Sequence, residues 1–185
     1  MRFEKVDKEY YFNGCQGCEV NCCERFKFIP LILEDFKEVY KFFPIFFSFF
    51  EDGIIPVIEL GSDKCRYFKN NRCEIYEDRP PGCKTYPIIP YFDEILIDIT
   101  CPGVDLKGKF LVDKNKINPD FFHPRIKNLT KKRENTLNFT NSIKDELVFF
   151  KNNVLDLYIY PQQTDNKYLK LHQESIKAFY ELPNT

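Results

Sequence analysis

Four of the chain's eight cysteines fall within nine residues, Cys15-Gln16-Gly17-Cys18-Glu19-Val20-Asn21-Cys22-Cys23, and this crowding constrains the fold more than any other feature. Two intervening residues let the chain turn so that the sulfurs of Cys15 and Cys18 face one ion, and Gly17 supplies backbone angles that such a turn often uses. Adjacent Cys22 and Cys23 point in different directions, so one joins the first pair while its neighbour serves a second ion, bridges two ions or enters the core. The spacing leaves these alternatives open. The other thiols are more spread: Cys65, Cys73 after seven intervening residues, Cys83 after nine more and Cys101 after a further seventeen. Eight thiolates satisfy two tetrahedral four-sulfur sites, or one cluster with a spare zinc-like site, because zinc and iron-sulfur clusters both favour sulfur ligands.

Metal is favoured over four disulfides by the compartment that the sequence suggests. The start, Met1 to Lys8, alternates charge without an apolar run, so no secretory signal is expected and the chain is expected in the cytoplasm, where thiols stay reduced. The most apolar stretch, Phe42 to Phe50, is far shorter than the roughly 20 residues that cross a bilayer and contains Pro44, so it reads as core and no membrane partner is expected. With 27 basic against 28 acidic residues there is no chain-wide field to attract nucleic acid. The seven glycines form neither G-x-G-x-x-G nor G-x-x-x-x-G-K-[ST], and G-x-S-x-G and H-E-x-x-H are missing too. The sequence therefore assigns no reaction, and the expected partner is a metal ion or cluster, with a protein partner in an interaction role.

Composition changes at about Asp105: every cysteine precedes it, and the lysine- and asparagine-rich remainder has none. Residues 1–105 are expected to be the metal-binding domain and 106–185 an extension packing on it. Apolar spacing at Leu33, Phe36, Val39 or Tyr40, and Phe43 predicts a helix ended by Pro44. Strands are expected over 54–60, 95–99 and 154–160. Helices are expected over 138–150 and 165–182, the latter capped by Asp165 or Asn166 and carrying Leu169, Ile176 and Phe179 or Tyr180 on one face. The basic run Lys127 to Arg133 reads as a solvated face. His123 and His172 are expected in surface or capping roles, not as ligands. The fold class is α+β: a small, cysteine-rich, loop-rich, metal-pinned domain with a partly helical C-terminal extension, an all-helical arrangement being the alternative.

Lys64, Arg66, Arg72, Arg79 and Lys84 interleave with Cys65, Cys73 and Cys83. They are suited to offset the negative charge that four thiolates leave on zinc or on an oxidised cubane cluster; ordinary surface charge, or pairing with Glu74, Glu77 or Asp78, is the plainer alternative. Pro80, Pro81, Pro87 and Pro90 stiffen the segment that carries Cys83. Tyr76 and Tyr86 either cover sulfurs against water or fill core. The candidate metal ligands are thus Cys15, Cys18, Cys22, Cys23, Cys65, Cys73, Cys83 and Cys101, and the candidate cofactor contacts are Arg79, Tyr76 and Tyr86.

The run Cys73-Glu74-Ile75-Tyr76-Glu77-Asp78-Arg79-Pro80-Pro81-Gly82-Cys83-Lys84-Thr85-Tyr86-Pro87 lies between Cys65-Arg66-Tyr67-Phe68 and Cys101-Pro102-Gly103, with Cys15-x-x-Cys18-x-x-x-Cys22-Cys23 before it. Over roughly the first 105 residues this closely resembles the YkgJ-type cysteine cluster family, with its zinc- or iron-chelating CxxCxxCC domain. Some relatives resemble flagellin lysine methylases, in which such cysteines look like iron-sulfur ligands. Three readings follow. The first is an iron-sulfur protein, 4Fe-4S favoured, with a redox or accessory role. The second is a structural zinc-binding and interaction module, in which loss of Cys15 or Cys18 unfolds the region. The third, implied by the resemblance alone, is an accessory to a protein-lysine methylase-like enzyme.

Overall fold

The computed structural model describes residues 2–13, 22–91, 94–105, 107–114, 116–121 and 123–180, so Cys15 and Cys18 lie outside the described residues. In chain order these form β1 (Phe3–Lys5), β2 (Glu9–Phe12), α1 (Cys22–Arg25), β3 (Phe28–Pro30), a 3-10 turn (Leu33–Asp35) running into α2 (Phe36–Val39), β4 (Ile45–Phe50) and β5 (Gly53–Glu59). There follow β6 (Phe68–Lys69), β7 (Arg72–Cys73), α3 (Pro81–Thr85), β8 (Ile88–Tyr91), β9 (Glu94–Asp98), β10 (Val104–Asp105), β11 (Lys109–Asp113) and β12 (Lys116–Ile117). The chain continues with α4 (Leu129–Ser142), β13 (Val148–Asn152), β14 (Asp156–Ile159) and α5 (Lys167–Phe179). Antiparallel sheets beside separate helices make an α+β protein, which removes the all-helical alternative. No helix among the described residues is long and apolar enough to cross a membrane.

The chain divides into two compact units, Met1–Cys22 with Pro81–Thr130 and Cys23–Pro80 with Lys131–Thr185. Residues beyond Asp105 therefore enter both: β11 and β12 belong to the first, and β13, β14 and α5 to the second.

In the first unit the described strands make a sheet of order β1-β9-β8 and another of order β10-β2-β11-β12. The β8–β9 hairpin pairs Ile88 with Ile97 and Ile89 with Leu96. Alternation then sends Ile88 and Ile97 into a core with Val6, Tyr10, Leu111 and Val112. Taking each such side chain fully out of water contributes roughly 1.5–3 kcal/mol. The strand expected over 95–99 is β9, and it ends on Asp98, a carboxylate that is fully buried.

The second unit is built on an antiparallel sheet of order β13-β14-β4-β5-β3. The aromatic run expected as core supplies β4, in which Ile45, Phe46, Phe47 and Ser48 are all buried, and the strand expected over 54–60 is β5. The segment predicted as one helix over 33–43 is instead a 3-10 turn and the single turn α2, continued by turns to Phe43. Its predicted inner residues Leu33, Phe36, Val39 and Phe43 are nonetheless buried. Asp35 explains the tight start, because its Oδ2 accepts the Ile32 amide at 3.0 Å and closes the chain into the 3-10 turn.

Two expectations for the tail need correction. Helix α4 begins at Leu129 instead of 138, and the stretch expected to continue it to 150 forms a 3-10 turn and then β13. After Leu129, the buried residues of α4 are the threonines Thr136 and Thr140. Thr136 Oγ1 accepts the Leu33 amide at 3.2 Å, and the Thr140 hydroxyl donates to the Ile54 carbonyl at 2.6 Å. Lys131 to Arg133 are accordingly a helical turn, exposed at Lys131 and half-buried at Lys132 and Arg133.

Helix α5 matches the sequence, with the Asn166 side chain accepting the amides of Tyr168 and Leu169 and with Leu169 and Ile176 buried. His172 is the second correction: it is 1% exposed, not a surface residue. Its Nε2 accepts the Tyr160 amide at 3.0 Å, so Nδ1 carries the proton and donates to the Ile45 carbonyl at 2.8 Å. A buried amide beyond β14 and a buried carbonyl at the start of β4 each require a partner, and one neutral imidazole satisfies both. His123 does cap, its Nδ1 accepting the Arg125 amide at 3.2 Å.

Candidate metal centre

All six described cysteines are thiols, Cys65 and Cys101 buried and Cys22, Cys23, Cys73 and Cys83 half-buried. Cys22 and Cys23 open α1, where consecutive side chains leave the helix axis about 100° apart, as their adjacency requires. The boundary between the units falls between these two residues.

The second unit carries Cys23, Cys65 and Cys73. The Cys65 amide donates to the Cys23 carbonyl at 2.7 Å, which brings α1 against the Cys65 loop. Lys27 strengthens this junction, since its ammonium donates to the carbonyls of Glu24 and Asp63 while its own carbonyl accepts the Leu60 amide at 2.8 Å. Cys73 follows from a hairpin: β6 and β7 pair Phe68 with Cys73, and the Phe68 amide donates back to the Cys65 carbonyl at 2.9 Å. The two residues of its turn, Asn70 and Asn71, both have positive φ, 50° and 57°, the primed turn that short hairpins favour and that asparagine tolerates. Tyr67 anchors this ribbon by donating to the Phe42 carbonyl at 2.9 Å and meeting the Phe43 ring edge-on at 5.2 Å.

The loop before Cys65 depends on Gly61. At φ +154° a Cβ on Gly61 would lie 2.1 Å from the Lys64 carbonyl oxygen, a backbone atom that cannot rotate away. Gly61→Ala should therefore displace the segment ending at Cys65 and cost roughly 1–3 kcal/mol of stability. Thermal unfolding and mass-spectrometric rates of thiol labelling at Cys65 check this; an unchanged melting temperature together with an unchanged labelling rate would refute it.

Two of the cations that interleave with these cysteines, Arg66 and Arg79, lie over aromatic rings. Lys69 pairs with Glu74 at 3.0 Å across the hairpin, and Arg66 lies over the Phe179 ring at 4.9 Å. Arg79 stacks on the Tyr76 ring at 3.7 Å and donates from Nε to the Tyr76 carbonyl at 2.7 Å. Tyr76 is 49% exposed, so it does not fill core as the plainer sequence expectation had it; a guanidinium three residues away gives its ring a partner at the surface.

The first unit carries Cys22, Cys83 and Cys101. Pro81 opens α3, where its missing amide proton costs nothing, and Cys83 is held in this one short helix, which the Thr85 hydroxyl closes onto the Gly82 carbonyl at 3.1 Å. Cys101 sits just beyond β9, its amide donating to the Asp98 carbonyl at 3.1 Å and its carbonyl accepting the Val104 amide at 2.9 Å. Between these two cysteines the Tyr86 hydroxyl donates to Asp98 Oδ2 at 2.9 Å. Burial, this bond and the nearby Cys101, Asp98 and Cys22 charges all push the Tyr86 phenol upward, so it stays a donor at ordinary pH. Burial opposes ionisation of Asp98, but the hydroxyl and amide of Thr100, the Tyr86 hydroxyl and the Arg2 amide outweigh it and hold the carboxyl below its ordinary range.

The structure thus brings Cys23 and Cys65 together through their backbones, places Cys73 on the ribbon that follows, and makes Cys22 and Cys101 electrostatic neighbours of Tyr86. Among the described residues no group of three or more His, Cys, Asp and Glu side chains is arranged to hold a metal ion. The donor set is nevertheless chemically right for zinc or iron, being soft, reduced and shielded sulfur, and the described portion supplies it without Cys15 and Cys18. Sequence reading missed Asp98, Thr100, Tyr67 and Lys27. Only Asn70-Asn71 left a local signal, as a two-residue turn pair.

Residues 14–102 match the CxxCxxCC family, described as a putative zinc- or iron-chelating domain. No curated protein and no solved structure matches the chain.

Proposed function

We propose, from the match of residues 14–102 to the zinc- or iron-chelating CxxCxxCC family, that the protein holds an iron-sulfur cluster of the 4Fe-4S type through its clustered cysteines in a redox or accessory role in the cytoplasm. The observation that carries this reading is the state of the sulfurs: six thiols, none fully exposed, each seated on a short element or tight turn. Such a cluster supplies one-electron transfer when bound, and its potential depends on charge, hydrogen bonding and access of water. The chain's own part is to present thiolates and keep water away. Tyr86, half-buried and protonated, does this beside Cys22 and Cys101, and the Tyr67–Phe43 contact does it behind the Cys65 ribbon. The candidate ligands are Cys22, Cys23, Cys65, Cys73, Cys83 and Cys101 together with Cys15 and Cys18, and one such cluster takes four of them. Arg79 and Tyr76 act together as a surface brace on the loop that leads to Cys83.

A structural zinc module with a protein partner is the second reading, and the β6–β7 hairpin favours it. A two-residue turn between Cys65 and Cys73 is the compact, closed support that structural zinc uses to contribute folding energy. One measurement separates the two. The full chain, purified without oxygen, is assayed for iron, acid-labile sulfide and zinc per chain. Iron and sulfide in matching amounts, with brown colour, are expected. Zinc with no sulfide transfers the conclusion to the second reading, and neither metal in stoichiometric amount removes both.

A further inference from the structure

Asp98 is a carboxylate placed where an apolar residue would pack at less cost. It is fully buried at the end of β9, and a buried charge is retained only where hydrogen bonds compensate its lost hydration. Its compensation comes from three separate segments. Oδ1 accepts the Arg2 amide at 3.2 Å, the Thr100 amide at 2.9 Å and the Thr100 hydroxyl at 2.7 Å, and Oδ2 accepts the Tyr86 hydroxyl at 2.9 Å. The chain ends of this bracket are not arbitrary. Tyr86 leaves α3 three residues after Cys83, and Asp98 and Thr100 stand three residues and one residue before Cys101. The backbone repeats the link, with the Asp98 amide on the Pro87 carbonyl at 3.0 Å and the Cys101 amide on the Asp98 carbonyl at 3.1 Å.

We propose that Tyr86 and Asp98 form a positioning couple that fixes the Cys83 helix and the Cys101 turn relative to each other, so that their thiols are presented at a set separation before metal arrives. The inference rests on the metal-thiolate reading above and deepens it: neither residue is itself a ligand. A hydrophobic pair would hold these segments together equally well but would not define their spacing, because dispersion contacts are not directional. The phenol–carboxylate bond is directional, and its carboxylate is fixed from behind by Thr100 and Arg2. Outer hydrogen bonds that orient metal ligands are typically worth about 10–100-fold in metal affinity, and a bond that acts through the ligands' backbone is expected at the lower end of that range.

The test uses the full chain, freed of metal and loaded anaerobically with cobalt(II), whose sulfur-to-metal charge-transfer absorption reports thiolate coordination. Tyr86→Phe keeps the ring and removes only the bond to Asp98. It should release cobalt to a chelator roughly 10-fold faster or more, with a weakened or shifted charge-transfer band, beside the lowered melting temperature of the metal-free chain that loss of a bond to a buried carboxylate brings. Asp98→Asn, which keeps the shape and withdraws one acceptor, should move both readouts the same way. Thr100→Ser, which keeps the hydroxyl, should behave as the parent. If Tyr86→Phe and Asp98→Asn keep the parental release rate and band, even with lowered melting temperatures, the couple is only a structural tie and the inference is overturned. If the parent chain itself shows no thiolate charge-transfer band, the metal-thiolate reading fails and takes this inference with it, an outcome visible before any variant is made.

Discussion

Phe46→Ala should lower the stability of the second unit by roughly 3–5 kcal/mol, the usual cost of deleting a buried phenylalanine ring and leaving its cavity. Phe46 is fully buried and joins Val57, Leu157 and Ile176 in one cluster, with ring contacts to Phe150 at 5.6 Å and Tyr180 at 6.0 Å. It also underlies a polar group. The Lys151 ammonium lies 5.5 Å above the Phe46 ring, bonds Glu59 Oε2 at 2.6 Å and reaches the Tyr180 hydroxyl at 2.8 Å. Asn153 bonds the other oxygen of that carboxylate. Loss of the ring would therefore remove packing from four elements and let water reach an ion pair whose Glu59 is buried. Against a total stability of about 5–15 kcal/mol the effect is large. Urea unfolding followed by circular dichroism and tyrosine fluorescence measures it, the chain having no tryptophan. Phe49→Ala, on the same strand but 43% exposed, is the control and should cost under about 1 kcal/mol. Equal losses for the two would show that the packing assigned to β4 is wrong.

The strands that the sequence announced were those whose apolar residues are both β-branched and bounded by breakers. Ile54 to Leu60 became β5 and Ile95 to Ile99 became β9, each within a residue of expectation. Helix α5 was legible because Leu169 and Ile176 mark one face and Asn166 caps it. Helix α4 was not, because Thr136 and Thr140 do the work of leucines there, and a threonine that buries its hydroxyl against a backbone group looks polar to any periodicity argument. Val148-Phe149-Phe150 was assigned to a helix because a short apolar run carries no period; its pairing with β14 is a tertiary choice. The composition break at Asp105 likewise records where cysteines stop, whereas contacts divide the chain at Cys22, Pro80 and Thr130.

The cysteines are plain to read in the sequence, but the residues around them are not. Asp98 lies within Ile97-Asp98-Ile99, where alternation suggests a carboxylate facing solvent, and only the fold reveals that Tyr86, twelve residues earlier, donates to it in the interior. Tyr76 failed in the opposite sense: an aromatic flanked by cysteines suggested core, yet Arg79 provides a partner that lets it stand at the surface. Both cases have one cause. The partner that decides whether a polar or aromatic side chain is buried is set by chain folding, not by its immediate neighbours.

The same reasoning makes His172 a source of acid sensitivity. Burial holds its folded-state pKa at about 4, below the ordinary 6.5, with the Ile45 carbonyl opposing only in part. The unfolded chain takes up a proton near 6.5, so stability is present in full above that value. It is lost as the pH falls toward 4, and below 4 both states are protonated and the loss stops growing. The difference between the two values corresponds to roughly 3 kcal/mol. Geometry gives the cause: Nε2 must keep its lone pair to accept the Tyr160 amide, and a protonated ring would set donor against donor at a buried position. His172→Gln offers one acceptor and one donor without titrating. Urea midpoints of the parent should fall more steeply than those of the variant between pH about 6.5 and 4, and the difference in slope isolates this residue from the carboxylates that titrate alongside. Parallel slopes would mean that His172 is not held neutral between β4 and the chain beyond β14, and that the tie it makes to α5 is not the proton-sensitive one.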